Sequence, residues 1–499
     1  MSEPTLQKWQ KSRRVTKRIF ITGCLVLDTP AHFGNGDSDG LTDISLLRDS
    51  LTGQPLLTGS SIAGALRTDV HEREKGYGVQ ESKDGISQAE QLFGYVSDEQ
   101  TEPVEVTVES WLMVDDALGN FASKPIEIRD GVQIRRKTRT AEDQFKYDIE
   151  LLAAGTQFRL HFELWLEESK EEERLRWLAA ALHNFEAGNI RLGMRKRRGF
   201  GKCHVVGWQV RQFDMGEPQG IVDWLKYRIP DKCDSHDKYQ PDILTLLSVK
   251  LPDVDNREAF TLQATFRLQH SLLIRADIAD GDSPDMLHLR NADGEPILSG
   301  TSVAGAIRAR AYRIANTLKG EAKAKELLNN MFGLRLTQKE KRTREREERQ
   351  PIGSRITIDE TKIQHPLQDW VQSRVKIDRF TGGAYPQALF SQQPIFAGSE
   401  DPTLVQINLH HRNNRTTNFE AEVGLLLLVL KDLWTGDLPL GGESSIGRGR
   451  LRGQTACLQM GGKKWVFEEI DGRLHFTEGQ SKELEKYIIA LHTYLEVPT

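Results

Sequence analysis

The segment TQFRLHFELWLEE alternates without a fault, setting Phe158, Leu160, Phe162, Leu164 and Leu166 on one side of an extended chain. Period two over that length predicts a strand with one buried face. RIFITGCLVLDT (18–29) and FTLQATFRLQHSLLI (260–274) have strand composition with partial alternation. VTVESWLMVDD (106–116) and SRITIDETK (354–362) read as two further strands. EEERLRWLAAALHNF and NFEAEVGLLLLVLKDLW read as helices, and SKELEKYIIALHTYL (481–495) predicts a terminal amphipathic helix.

One phrase occurs twice. PLLTGSSIAGALR runs from Pro55 to Arg67 and PILSGTSVAGAIR from Pro296 to Arg308, sharing a proline, two glycines, a terminal arginine and every small or apolar position between. Each copy predicts a helix start, with Ser61 or Ser302 as the cap and Ala65, Leu66 and Val70 supplying the apolar stripe of the first. Gly59 to Gly300 is an offset of 241, LFG (92–94) to MFG (331–333) one of 239, and GFG (199–201) to GRG (447–449) one of 248. Three landmarks in one order at nearly one offset mark a duplicated domain. Each copy has the order β-α-β-β-α-β, which predicts an α+β fold: two tandem ferredoxin-like, RRM-like units, each a helical layer on an antiparallel sheet. The expected division is 15–212 for the first unit, 213–256 for a linker or small subdomain, 257–455 for the second unit, and 456–499 for a C-terminal extension of strand and helix.

Length and composition agree with this division. A chain of 499 residues with 28% charged residues is that of a soluble protein of more than one domain. The longest apolar run, LLLLVL (425–430), is far too short to span a bilayer, and MSEPTLQKWQKSRR has no apolar signal core. The expected location is therefore the cytoplasm, with no membrane partner. Cys24, Cys203, Cys233 and Cys457 show no CxxC spacing and are expected as reduced thiols. The net charge is −5, yet RLGMRKRRGFGK (191–202) holds six basic residues and no acid, and RDGVQIRRKTR (129–139) holds five against one. Such patches suit a nucleic-acid backbone, although a solvated charged face has the same composition. RLTQKEKRTREREERQ (335–350) reads as a solvated, charged insertion in the second unit.

Three sets of motifs bear on chemistry. GGESSIGRGRLR (441–452) has the glycine spacing of a P-loop at Gly442 and Gly447, but Arg448 and Gly449 stand where Lys and Ser/Thr must be, which excludes that mode of ATP binding. Its backbone N–H groups can still cradle an anion, with Arg448 and Arg450 beside them, unless the glycines serve only a tight turn. Next, the Gly/Asp-rich loops ahead of the repeated phrase align Asp43 with Asp285 and Arg48 with Arg290. A carboxylate in such a loop can hold a divalent cation or take a proton from a ribose hydroxyl, and it is also ordinary turn chemistry. Finally, GVQIRRKTRTAEDQFKYDIELLAAGTQF (131–158) and RVKIDRFTGGAYPQALFSQQPIFAGS (374–399) read as hairpins with basic and aromatic residues at or near the tip, able to stack on bases or to brace a neighbouring subunit. HExxH and GxSxG are absent. His410 and His411 are adjacent, so on a strand they face opposite ways and make a poor metal pair.

The glycine-rich PxxxGSSxxGxxR phrase, LFG downstream, the hairpin with IDRxTG (Ile377 to Gly382) and the final GxGR loop together resemble the RAMP superfamily of CRISPR-associated proteins. The likeness is greatest to the backbone subunits of type III effector complexes, and it covers roughly 15–212 and 257–455, as two such subunits fused. The resemblance implies RRM-like cores with hairpin thumbs and glycine-rich lids. It implies a ribonucleoprotein of stacked neighbouring RAMP subunits on guide RNA, in which complementary target RNA is cut beside nucleotides that the thumbs displace. Carried over by position, the cutting residues are Asp43 and Asp285, with a divalent metal, Mg²⁺, as cofactor. The RNA-binding set is Gly59, Ser60, Ser61, Arg67, Arg135, Arg136, Lys137, Arg195, Lys196, Arg197 and Arg198 in the first unit. In the second it is Gly300, Thr301, Ser302, Arg308, Lys376, Arg379, Arg448 and Arg450. The first unit departs from the pattern, with GVQIRRKTRTAEDQ in place of IDRxTG and the more basic loop GMRKRRGFG, and the loop of Asp285 is one residue shorter than that of Asp43. Two other functions fit the same features: a non-catalytic guide-RNA-binding subunit, and a guide-RNA-processing endoribonuclease.

Overall fold

The computed structural model describes residues 14–34, 44–80, 87–95, 109–135, 140–168, 171–229, 240, 242–276, 284–334, 353–367, 370–398, 400–415 and 418–496. Asp43, Arg136, Lys137, Cys233 and the 335–350 insertion lie outside these residues. The fold is α+β. The first half runs strand Lys17–Leu27, helix Gly59–Lys75, strands Leu112–Val114 and Ala117–Asn120, strand Gln157–Leu166, helix Glu171–Glu186, strand Cys203–Asp214. The second repeats it: strand Ala259–Leu268, helix Gly300–Lys319, strand Ile356–Ile358, strand Leu404–Arg412, helix Phe419–Trp434, strand Leu451–Met460. In both sheets the first strand lies between the third and the last, and every one of these pairings is antiparallel. Two separate cores result, one under each pair of long helices.

The alternation read from the sequence is the burial observed. Phe158, Leu160, Phe162, Leu164 and Leu166 are all buried, and the residues between them are half-buried. The helix Phe419–Trp434, apolar nearly all round, is covered on both sides, by the sheet and by the C-terminal helix Ser481–Glu496. A Cβ on Gly424 would meet the Tyr487 carbonyl at 2.1 Å, so only glycine lets those two helices approach so closely. The short helix Ile243–Leu247 covers Glu171–Glu186 in the same way, burying Ile243 and Leu247 in the first core. Strands Lys463–Ile470 and Arg473–Glu478 extend the second sheet beyond Leu451–Met460.

The repeated phrase begins its helix two residues earlier than the expected caps. The first helix starts at Gly59, and the cap is Thr58, whose hydroxyl accepts from the Ser61 N–H at 3.3 Å. The second starts at Gly300 after Ser299, whose side chain makes no capping bond. Ser61 and Ser302 therefore lie inside their helices. Each starting glycine faces a carbonyl of the adjoining strand: an added Cβ would stand 2.1 Å from Val114 O in one half and 2.6 Å from Ile358 O in the other. Cys24 and Cys203 are buried free thiols and Cys457 is a half-buried one.

Between its second and third strands each half projects a two-stranded arm. The first arm pairs Ile126–Ile134 with Ala141–Leu152, and the second pairs Gln372–Ile377 with Ala384–Gln393. At the root of each, a segment from the loop ahead of the repeated phrase lies parallel to the returning strand, as Ile44 beside Ile149 and Met286 beside Gln392. Arg48 bridges Pro55 as Arg290 bridges Pro296, so the register that aligns Arg48 with Arg290 is the register of the fold.

Candidate nucleic-acid interface

The second arm is unusually apolar for an exposed hairpin. Phe380 at its tip is 99% exposed and Leu389 on its stem 74%, with Val375, Ile377 and Tyr385 also open. A lone two-stranded ribbon gains little stability from such residues in water, so their presence marks a contact surface. Lys376 sits over the Tyr385 ring at 4.5 Å, and Arg379 is exposed beside Phe380. Cations and aromatic faces together suit stacked bases and their phosphates. The first arm exposes Ile128, Val132 and Ile134, and Arg135 at its turn is exposed, its N–H bound to the Thr140 carbonyl at 2.9 Å.

At the root of the second arm Asp285 is exposed, and its Oδ2 accepts from the Ser391 N–H at 2.7 Å and the Ser391 hydroxyl at 3.0 Å. Those two bonds hold the carboxyl below its ordinary range, so it stays anionic. Beside it is a cluster that the sequence reading did not assemble. Glu443 is met by Arg448 Nε at 3.1 Å, by Arg374 Nη1 at 3.5 Å and by Arg275 Nη2 at 3.5 Å. Gln392 also donates to Glu443 and receives Arg448 Nη2 at 2.9 Å. Arg448 is only 3% exposed, and its Nη1 is buried with no hydrogen-bond partner among the described residues. Three guanidinium groups on one carboxylate leave a net positive root adjoining the anionic Asp285. Arg450, two residues on, is exposed.

The first root is built differently. Asp148 occupies the position of Ser391 and lies opposite Asp130 across the arm. Its hydrogen bond to Asp130, with some burial, raises the Asp148 carboxyl above the usual range, as expected of two acids sharing a proton. Asp43 itself lies outside the described residues, but Ile44, the next residue, is paired with Ile149 beside Asp148. Among the described residues no group of three or more His, Cys, Asp or Glu side chains is arranged to hold a metal. Any divalent ion at Asp285 would take one protein carboxylate and draw its other ligands from RNA and water, which is a usual arrangement for Mg²⁺.

The remaining residues of the predicted set divide between surface and support. Ser60 and Ser61 are exposed at an open helix start. Arg67 donates to the Gly94 carbonyl at 2.9 Å and Arg308 to the Gly333 carbonyl at 3.3 Å, so each motif arginine braces the LFG or MFG turn of its own half. Gly300 meets the glycine loop of the first half, for an added Cβ on it would stand 2.6 Å from the Arg198 carbonyl, and Thr301 and Ser302 are half-buried. In that loop Arg195 stacks on Tyr147 at 4.5 Å, while Lys196 and Arg198 keep exposed side chains. Arg197 turns into the junction, where burial and the nearby Arg412 pull its pKa down to about 10. His411 pairs with Glu422 at 2.8 Å on one strand face while His410 lies near Tyr77 on the other, as expected of adjacent strand residues.

Two regions of the sequence, 24–204 and 265–452, match the profile of the RAMP superfamily. The chain belongs to the RAMP superfamily. Its two matches coincide with the two halves of the fold, so it carries two RAMP domains in one polypeptide. Membership implies a CRISPR-associated RNA-binding subunit that acts within a multi-subunit assembly. No curated protein matches the sequence. No helix among the described residues is long and apolar enough to cross a membrane.

In a RAMP domain that binds RNA, the Arg275–Arg374–Arg448 cluster is the natural seat for a backbone phosphate. Arg374→Ala is expected to weaken RNA binding by a similar factor for every sequence and to lower the slope of log affinity against log salt by about one. Filter binding across a salt series reads both quantities.

Proposed function

We propose that this RAMP protein is a double backbone subunit of a type III CRISPR ribonucleoprotein, a fusion of two ferredoxin-like units spanning about 15–212 and 257–455. It holds guide RNA and cuts complementary target RNA in the cytoplasm. The arms act as thumbs that displace nucleotides, and the glycine-rich loops act as lids. The observation that carries this reading is the recurrence of one arrangement: an arm with exposed apolar or basic residues, rooted beside the loop of Asp43 in one half and of Asp285 in the other.

The proposed chemistry is attack of a target 2′-oxygen, its proton passing to water, on the adjacent phosphorus; the 5′-oxygen of the next nucleotide departs and takes a proton from water, leaving a 2′,3′-cyclic phosphate. An arm that unstacks a base can bring those atoms in line. Arg275 and Arg374, the open members of the arginine cluster, hold a phosphate near Asp285, and the buried Arg448 keeps Glu443 in place between them. Asp285 stays ionised because Ser391 binds it, so it suits cation binding better than proton abstraction, for which a higher pKa serves. Asp285 would help to hold a divalent ion, Mg²⁺ in this proposal, which would supply neutralising charge at the phosphate.

The test is target cleavage by the assembled, guide-loaded complex with Mg²⁺ or with EDTA. Regularly spaced cuts that EDTA abolishes are expected. Cuts that persist in EDTA would indicate metal-independent processing chemistry, and no cuts in either would leave a scaffold.

A further inference from the structure

The duplication allows one interface of this chain to be compared with a surface that repeats half of it. Where the halves meet, the first half supplies Arg191 and Arg129, and the second supplies Asp359 and Glu360 just past strand Ile356–Ile358. Arg191 pairs with Asp359 at 2.5 Å and Arg129 with Glu360 at 3.1 Å. The Glu360 side chain is only 5% exposed and that of Asp359 only 16%. The Arg198 carbonyl caps the contact by seating against Gly300.

The acceptor side of this contact recurs in the first half. Val114, Asp115 and Asp116 stand where Ile358, Asp359 and Glu360 stand, since Gly59 abuts Val114 O as Gly300 abuts Ile358 O. The backbone agrees: Asp115 N–H donates to His161 O as Asp359 N–H does to Asn408 O. Here, however, the side chain of Asp115 is 59% exposed although it binds His161, and Asp116 and Ser60 are exposed too. Among the described residues, none occupies the place that the first half's loop takes on the second.

The donor side does not recur. Gly201 abuts the Leu192 carbonyl as Gly449 abuts the Leu440 carbonyl, so the counterpart of Arg191 is Pro439. The arm registers, Arg129 opposite Ile149 and Gln372 opposite Gln392, make Gln372 the counterpart of Arg129. The Gln372 amide oxygen is taken by Arg448 and Arg374, and Arg374 is itself engaged by Glu443. A second copy docked on Asp115 and Asp116 in the geometry of the internal junction would bring Pro439 and the Gln372 amide where Asp359 and Glu360 each meet a guanidinium, with the nearby Arg374 and Arg448 already engaged by Glu443, so neither carboxylate would regain its ion pair.

We infer that the Asp115–Asp116 surface is a docking site for a different polypeptide, a related subunit whose glycine-loop face presents two cationic side chains at the positions held here by Arg191 and Arg129, and that it does not accept a second copy of this chain. Carboxylates left without a cationic partner disfavour the wrong partner and opposite charges orient the right one, which fixes this chain's place in the assembly. The inference rests on the internal junction and is independent of whether RNA is cut.

The test has two arms. Sedimentation of the isolated full chain is expected to give a single-copy mass at all concentrations; self-association that Asp115→Lys abolishes would overturn the inference. In the second, a photoreactive benzoylphenylalanine replaces Asp115 in the assembled complex, and the crosslinked peptide is sequenced. The expected peptide comes from another polypeptide and contains arginine or lysine. A peptide of this chain, such as one spanning Pro439, or a complex that forms normally with no crosslink at that position, would also overturn it. Asp253→Lys, at a side chain 96% exposed and away from this surface, is the control expected to leave assembly unchanged.

Discussion

Asp285→Ala is expected to erase one series of cuts in the target RNA while the complex assembles and binds as before. The loss at those sites should be roughly 10²-fold or more, the usual size of effect when a group acting on the reacting atoms is removed. Asp285 is exposed and among the described residues its side chain bonds to Ser391, so truncation leaves no buried group unsatisfied and the fold should be unaffected. Asp43→Ala is expected to erase a different series, and the double variant both. Ser391→Ala offers a graded control. It removes the hydroxyl contact and keeps the N–H one, so the carboxyl should rise part of the way toward its ordinary value and cutting should weaken without vanishing. Mapping cuts on end-labelled target reads all four. If the double variant cuts like the wild type, the catalytic assignment fails and the RNA-binding reading stands alone.

Arg129→Ala is expected to cost about 3–5 kcal/mol at neutral pH, the range for breaking a buried ion pair from one side. Glu127, Arg129 and Glu360 are each about 5–6% exposed in their side chains, and the guanidinium joins the two carboxylates across the junction. Without it two buried acids face each other. Burial already raises Glu360 above its usual value, opposed by Arg129, so removing that opposition raises it further. The sign of the pH dependence follows. A carboxyl raised in the folded state is destabilising above its unfolded pKa of about 4.3 and ceases to be so once protonated. The deficit of the variant should therefore shrink as the pH falls from 7 toward 5. Guanidinium denaturation at the two pH values measures it. Arg129→Met combined with Glu127→Gln and Glu360→Gln should recover most of the loss, because no uncompensated charge remains.

The fold was legible where it depended on periodicity. The stripe from Phe158 to Leu166 named a strand and its buried face, and the repeated phrase gave two equivalent helix starts. Helix caps were misplaced by three residues because the phrase offers several hydroxyls, and the choice of Thr58 depends on where Val114 and Asp116 place the Gly59 backbone. Less of the candidate site could be read. Arg275, Arg374, Glu443 and Arg448 come from three distant segments that meet only because the second arm folds back beside the glycine loop. The basic run Arg195–Arg198 was legible as charge but not as a junction, since its destination is set by the second half rather than by its neighbours in sequence. Arg67 and Arg308 belong to the RNA-binding set that the resemblance implies, and the sequence does not show that their guanidinium groups reach a turn of their own half. The bonds to Gly94 and Gly333 give them the brace.

The central claim, that both halves meet RNA along their arms, is tested most directly by ultraviolet crosslinking of the guide-loaded complex to target RNA, with adducts mapped by mass spectrometry. The account predicts adducts on both arms, at Phe380 and Tyr385 in the second and near Arg135 and Tyr147 in the first. Adducts confined to one arm, or found only on the outer helices Ser481–Glu496 and Pro218–Lys226, would contradict it.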